Sequence, residues 1–233
     1  MYGNMFAAEN VQLALKMLAE EMPKACWETL WVTVLATFFA IVIGLPIGIF
    51  MVTGDENGIA PKSKALMKTV GVIINLLRSV PFLILMVLVI PLSRAIIGTS
   101  VGTKATVIPL IIAAFPFIAR LAESCLREVD PNLIETAQSM GATNAQIIWK
   151  VMIPECMPSL ISNATTAITT VLGYTAMAGT IGGGGLGAIA INYGYYRSKY
   201  LVMIFAVIFL IIMVQLFQTV GTKIAVKTDK RLK

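Results

Sequence analysis

The chain contains no histidine and only three cysteines, Cys26, Cys125 and Cys156. Their number is odd and no two form C-x-x-C, which argues against a disulfide framework and against a zinc site. The thiols read instead as small apolar residues at membrane borders. Charge is scarce as well. Asp, Glu, Lys and Arg make up 13% of the residues, against 58% hydrophobic, and the mean hydropathy is +0.85. A soluble domain carries roughly twice that charged share, so the composition selects an integral membrane protein. The net charge of +6 comes from scattered bases without interleaved aromatics. In a membrane protein such an excess marks cytoplasmic loops, not nucleic-acid contact. The start of the chain has no basic run and carries Glu9, Glu20 and Glu21, so it does not read as a cleavable signal.

Two glycine-rich runs lack the pattern that would give them chemistry. Gly98 to Lys104 resembles a phosphate loop, but three residues separate its glycines and Thr103 precedes the lysine. The nucleotide-binding loop needs four residues there and ends Gly-Lys-Ser/Thr. Gly182 to Gly187 satisfies G-x-G-x-x-G, yet no strand precedes it and no βαβ unit surrounds it. A flexible outer turn is the expectation for that run.

What is present is a series of apolar runs long enough to cross a bilayer, which takes about 20 helical residues. They cover approximately residues 29–52, 70–97, 106–126, 157–178 and 200–224. The expectation is an all-α integral membrane protein with five transmembrane helices. Residues 1–26 precede them as an interfacial segment, with Asn10 capping an amphipathic helix through Leu13, Leu15 and Leu18. Residues 27–226 form the transmembrane domain, and 227–233 a basic tail. In the first span Gly44 and Gly48 bracket Pro46, a pattern that fits a close helix contact or a kink, with the kink preferred. Lys62, Lys64, Lys68, Arg120, Arg127, Lys150 and the bases after Gly221 lie on one side of the spans. The other side has fewer. The positive-inside rule then places the N-terminus outside and the C-terminus in the cytoplasm.

One stretch is too short and too polar to span. Asp130 can cap a helix that begins at Pro131, and Gly141 can end it in the left-handed conformation. Thr143 and Gln146 form a capping box for a second short helix. That helix carries Ile147, Ile148, Val151 and Met152 on one side until Pro154 breaks it. The stretch 130–155 therefore reads as two short helices meeting at a glycine corner, on the cytoplasmic side.

Its spacing resembles the coupling motif of ABC importer permeases: Glu-Ala-Ala, then Gly, then Ile-x-Leu-Pro. The matching positions are Glu135, Ala137, Gly141, Ala142, Val151, Ile153 and Pro154, with Thr136, Val151 and Ile153 as conservative departures. The resemblance extends over about residues 27–226, through Arg78-Ser79-Val80-Pro81-Phe82, Ala114 to Arg120, Gly173 to Met177, and Gly184 through Tyr195. It is closest to the methionine-type importer permeases. That resemblance implies a permease in a bacterial inner membrane, acting as a homodimer with two copies of an ABC ATPase subunit and an external substrate-binding lipoprotein. It implies no cofactor in this chain, with ATP and Mg held by the ATPase, and no enzymatic activity of its own. Permeases for other amino acids or quaternary ammonium compounds are the alternative within the class. An ion-coupled secondary transporter is the alternative outside it, and it would usually show ionisable groups near mid-membrane. A non-transporting membrane anchor would not need a polar span.

The fourth span is that polar one. Ser159, Ser162, Asn163, Thr165, Thr166, Thr169 and Thr170 serve close packing or line a path. Thr165, Thr166, Thr169, Thr170, Tyr174 and Met177 are the candidate pathway residues. Met177 reads either as a movable plug or as a core methionine. Arg78, inside the second span, requires a partner or water, and Ser79 with Pro81 marks a bend beside it. Glu123 and Glu135 are candidate partners, although Arg120 and Glu123, three apart, can pair with each other.

Overall fold

The computed structural model describes residues 8–229. Every element in it is helical. Long runs of Leu, Ile, Val, Phe and Ala satisfy their backbone groups within the segment, as a chain in lipid must. In order they are α1 (Ala8–Glu20), α2 (Met22–Thr53), α3 (Lys64–Ser79), α4 (Phe82–Ile97), α5 (Val107–Arg127), α6 (Pro131–Ser139), α7 (Asn144–Ile147), α8 (Ile153–Ala178), α9 (Gly185–Ile189) and α10 (Tyr200–Thr228). Met22–Thr53, Thr103–Arg127 and Tyr200–Thr228 are each long and apolar enough to cross a membrane. The pair α3 and α4 passes only as a unit, which makes four. Between them Val80 and Pro81 are extended, with ψ of 125° and 134°. Proline disfavours helix at the residue before it, so the bend expected beside Ser79 is a full break. The remaining one, the expected fourth span, is α8, with 26 residues, enough for a crossing. Its serines, threonines and asparagine keep it below the apolarity of the others.

The chain divides into two compact units. The first takes residues 8–38, Pro81–Ile112 and Ile168–Phe217. Its core joins Ala14 and Met17 of α1, Met22 and Ala25 of α2, Leu186 and Ile189 of α9, and Val202 and Ala206 of α10. α1 already runs at Ala8, so Asn10 is not the cap expected for it. The Asn10 side chain instead accepts a hydrogen bond from Lys199 Nζ at 2.8 Å. Leu13 and Leu18 pack on the core while Leu15 stays exposed.

The glycine run before α9 is tied down, contrary to the flexible turn expected. Glu28 Oε2 accepts from the Gly185 N–H and from Thr103 Oγ1, both at 3.0 Å. Thr29 Oγ1 accepts from the Leu186 N–H at 2.9 Å. Two side chains of α2 thus satisfy the first amides of α9, which have no intrahelical partner.

The second unit takes Phe39–Val80, Ala113–Ala167 and residues 218–229. Here α2 and α5 touch backbone to backbone. A β-carbon on Gly44 would stand 2.7 Å from Phe115 O, and one on Gly48 2.6 Å from Ala119 O. The glycine pair therefore serves a close helix contact, as small residues do between membrane helices. Cys125 and Cys156 are buried in this unit and Cys26 is half-buried; all three are free thiols.

Candidate coupling corner and transport face

The corner assembles in the second unit from strictly local rules. Asp130 Oδ1 accepts from the Asn132 N–H at 2.9 Å, and Pro131 opens α6. Gly141 has φ +79°. Its N–H donates to Gln138 O at 2.9 Å, and the next amide, Ala142, donates to Ala137 O at 3.0 Å. This pair of bonds is the Schellman termination, which glycine adopts without strain. Thr143 and Gln146 then exchange backbone and side-chain bonds in a complete capping box.

The corner is anchored on one side only. Ile147 and Met152 are fully buried with Cys125, Leu126, Val129 and Cys156, while Ile134, Ala137, Ala142 and Ile148 pack around them. The other side faces out. Met140 at the tip is 83% exposed, Trp149 is 67% exposed, and Glu135 is exposed. No atom lies within 4 Å of a β-carbon placed on Gly141.

Pro154 does not end the second short helix, as the sequence suggested it would. The five residues Ile148–Met152 are wound as a π-turn, and the Ile153 N–H donates to Ile148 O, five residues back. A wide turn shifts the hydrogen-bond register, and such turns are one of the ways a helix takes up an irregularity. Pro154 then lies in the first turn of α8, where its missing N–H costs little. α7 therefore runs on into α8 without a loop.

The expected pathway residues divide between the units. In the second, Thr165 Oγ1 and Thr166 Oγ1 donate back to Ile161 O and Ser162 O. Thr165 also packs tightly against Gly221 of α10. In the first, Thr169 and Thr170 are half-buried, and Tyr174 stacks on Phe82 at 4.4 Å between ring centroids. Pro81 caps α4 immediately before that phenylalanine. Met177 is 47% exposed, which removes the core-methionine reading. Along α8 itself Ser162, Thr166, Thr169, Gly173 and Met177 recur at spacings of three and four, so they share one helix face.

Arg78 is exposed; of the two carboxylates nominated for it, Glu135 is exposed and Glu123 is engaged elsewhere. Glu123, 8% exposed, accepts from Arg120 at 2.6 Å and from Arg127 at 3.1 Å. Arg127 also reaches Asp55 at 2.9 Å, and Arg120 donates to Asn75 Oδ1 at 2.9 Å. The hydrogen bond from Arg127 holds the Asp55 carboxyl below its ordinary pKa.

Residues 44–224 match the family described as binding-protein-dependent transport system inner membrane component. The chain belongs to that family. Within it, the chain is 44% identical over 207 residues to the probable D-methionine transport system permease protein MetI of Vibrio cholerae, covering 89% of this chain and 92% of that one. It is 45% identical over 156 residues to the Escherichia coli D-methionine transport system permease protein MetI, covering 67% and 71%. Among solved structures, an inward-facing conformation of the MetNI methionine ABC transporter superimposes with a TM-score of 0.86 at 42% identity. That match covers 90% of this chain and 96% of the other.

For an inner membrane component of this family the sequence left two groups unmarked. The Glu123–Arg127 spacing of four was a visible sign of the ion-pair network, but Asp55 enters it from 72 residues away. Glu28 gave no sign, because its partners are the Gly185 backbone amide, 157 residues on, and the Thr103 hydroxyl, 75 residues on.

Proposed function

We propose that the chain is the permease subunit of an ATP-driven methionine importer, working as a homodimer with two ATPase subunits and fed by an external binding lipoprotein. The observation that carries the reading is the corner at Gly141: exposed on one side, anchored on the other, and continuous with α8. A rigid projecting corner suits docking into a groove on the ATPase, with Glu135, Ala137, Gly141, Ala142, Val151, Ile153 and Pro154 as the docking and shaping residues. ATP and Mg belong to that partner. The methionine assignment is supported by the names of the relatives and of the solved transporter.

The face of α8 that carries Thr166, Thr169, Thr170, Tyr174 and Met177, with Thr165 at its edge, lines the pathway between two copies. Weakly polar hydroxyls lower the barrier for a zwitterion without holding it. No fixed acid stands on this face to retain a cation. Residues 1–26 flank the membrane, 27–226 form the permease, and the tail from 227 is cytoplasmic. Only residues up to 229 of that tail are described. Arg78 and Pro81 shape the break between α3 and α4.

The test uses cells without their own methionine uptake, supplied with this chain, its ATPase and its binding protein. Labelled methionine accumulates only when both partners are intact. Accumulation driven by a proton gradient without ATP would overturn the reading in favour of a secondary transporter. Uptake of a quaternary ammonium compound without methionine competition would move the chain to another importer class. A reporter after Lys233 reads as cytoplasmic and one at Gly3 as external; both on one side would remove the five-span arrangement.

A further inference from the structure

Beside the ion-pair network of the second unit lies an open cavity of about 410 Å³, bounded by the loop after α2, the first turns of α3 and the end of α5. Its electrostatics are unbalanced. The acids on its wall are Asp55, Glu56 and Glu123, and each is already paired: with Arg127, with Lys64 at 2.6 Å, and with Arg120 and Arg127. Two bases on the same wall, Lys62 and Lys68, remain exposed and make no ion pair among the described residues. Arg120 adds a buried Nε without a hydrogen-bond partner. The cavity therefore presents surplus positive charge whose counterions are not in the protein.

The helix beneath it points to the kind of anion. Lys68, Val72 and Leu76 follow at intervals of four and so form one stripe of α3. Val72 is 47% and Leu76 63% exposed. A base at the mouth of a cavity, continued by apolar side chains that nothing in the second unit covers, matches an amphiphile: anionic head, hydrocarbon tail. Bases of this kind at a membrane border attract anionic headgroups, each contributing about 1 kcal/mol near the surface.

The geometry points to a binding site for the phosphate of an anionic phospholipid, held by Lys62 and Lys68 with its acyl chains along Val72 and Leu76. The lipid completes the charge balance of a network whose own acids are consumed. Arg120 and Arg127 supply background potential and are not freed to contact it. The assignment needs only that the chain lies in a membrane. It stands or falls separately from the methionine reading, since lipid preference can be measured with no transport taking place.

The test is native mass spectrometry of the purified permease–ATPase complex, titrated with phosphatidylglycerol against phosphatidylcholine. Wild type prefers phosphatidylglycerol. Lys62→Gln with Lys68→Gln weakens that preference roughly thirty-fold, about a factor of five for each base. Both lysines are exposed and unpaired, so the variant folds, which a thermal melt verifies. Lys223→Gln, an exposed base elsewhere, leaves the preference unchanged. Val72→Ser with Leu76→Ser also weakens phosphatidylglycerol binding. Equal binding of the two lipids by wild type, or an unaltered preference in the double lysine variant, overturns the site. A parallel arm adds inorganic phosphate to the complex without anionic lipid. If phosphate stabilises the complex through Lys62 and Lys68, and the serine variants leave lipid binding intact, the cavity serves a soluble anion and the lipid assignment is overturned.

Discussion

Replacing Gly141 separates two things that glycine does at the corner, because their demands on the new residue differ. The first is conformational. At φ +79° an L-residue pays roughly 1–2 kcal/mol, with asparagine the least penalised. For a protein of this size that lowers a melting temperature by roughly 2–8 °C. The second is spatial. The chain itself leaves open space at this position, so a side chain meets no internal obstacle and projects toward whatever docks there. Stability should therefore rank asparagine above alanine and leucine. Coupling should rank by size, with alanine retaining most, asparagine less and leucine none. The assay pairs thermal melts of the purified complex with transport-stimulated ATP hydrolysis in proteoliposomes. Crossed rankings support docking at the corner. Normal uptake by Gly141→Leu refutes it, and so does activity that follows melting temperature across the series.

The exposed Met177 gives a second prediction: Met177→Ala raises solute leak or uncoupled ATP hydrolysis and shifts the melt little, whereas a core methionine would cost about 2–5 kcal/mol. Gly48→Leu forces α2 from α5 by more than a methyl radius and is expected to cost about 1–3 kcal/mol or more, read as lower yield and an earlier melt; an unchanged melt would contradict the close helix contact. Asp55, whose folded pKa lies below its unfolded value, contributes stability above about pH 4 that is lost as pH falls through the folded value. The pair is largely exposed, so the effect is small. Melts between about pH 6 and pH 3 should fall more for wild type than for Asp55→Asn, and parallel falls would remove the Asp55–Arg127 link.

Legibility followed the range of the interactions. Asp130, Pro131, Gly141 and the Thr143–Gln146 box act within four residues, and every one of them was readable from the sequence. So was the Arg120–Glu123 pair. Pro154 misled because its usual consequence assumes an α-helical turn before it, and the π-turn at Ile148–Met152 leaves no composition signature. The contact at Gly44 and Gly48 could not be read with certainty because its partner, α5, lies about seventy residues away in the chain. The glycine run at 182–187 was read as loose for the same reason: the side chains that fasten it, Glu28 and Thr29, lie far upstream. Charge alone nominated Glu123 and Glu135 for Arg78, and it could not reveal that Asp55 and Arg127 complete the network around Glu123.

On the proposed function, the π-turn also bears on how movement leaves the corner. A loop between corner and helix would act as a slack tether, absorbing part of any displacement before passing it on. Here the chain from Asn144 to Ala178 is wound throughout, and α8 alone rises about 39 Å along its axis. On the proposed function, torque applied at the corner enters that helix without an intervening loop, through an over-wide turn of five residues and then past Pro158. Small changes in the winding of that turn would then retune how much of the proposed ATPase movement reaches the threonine-bearing face.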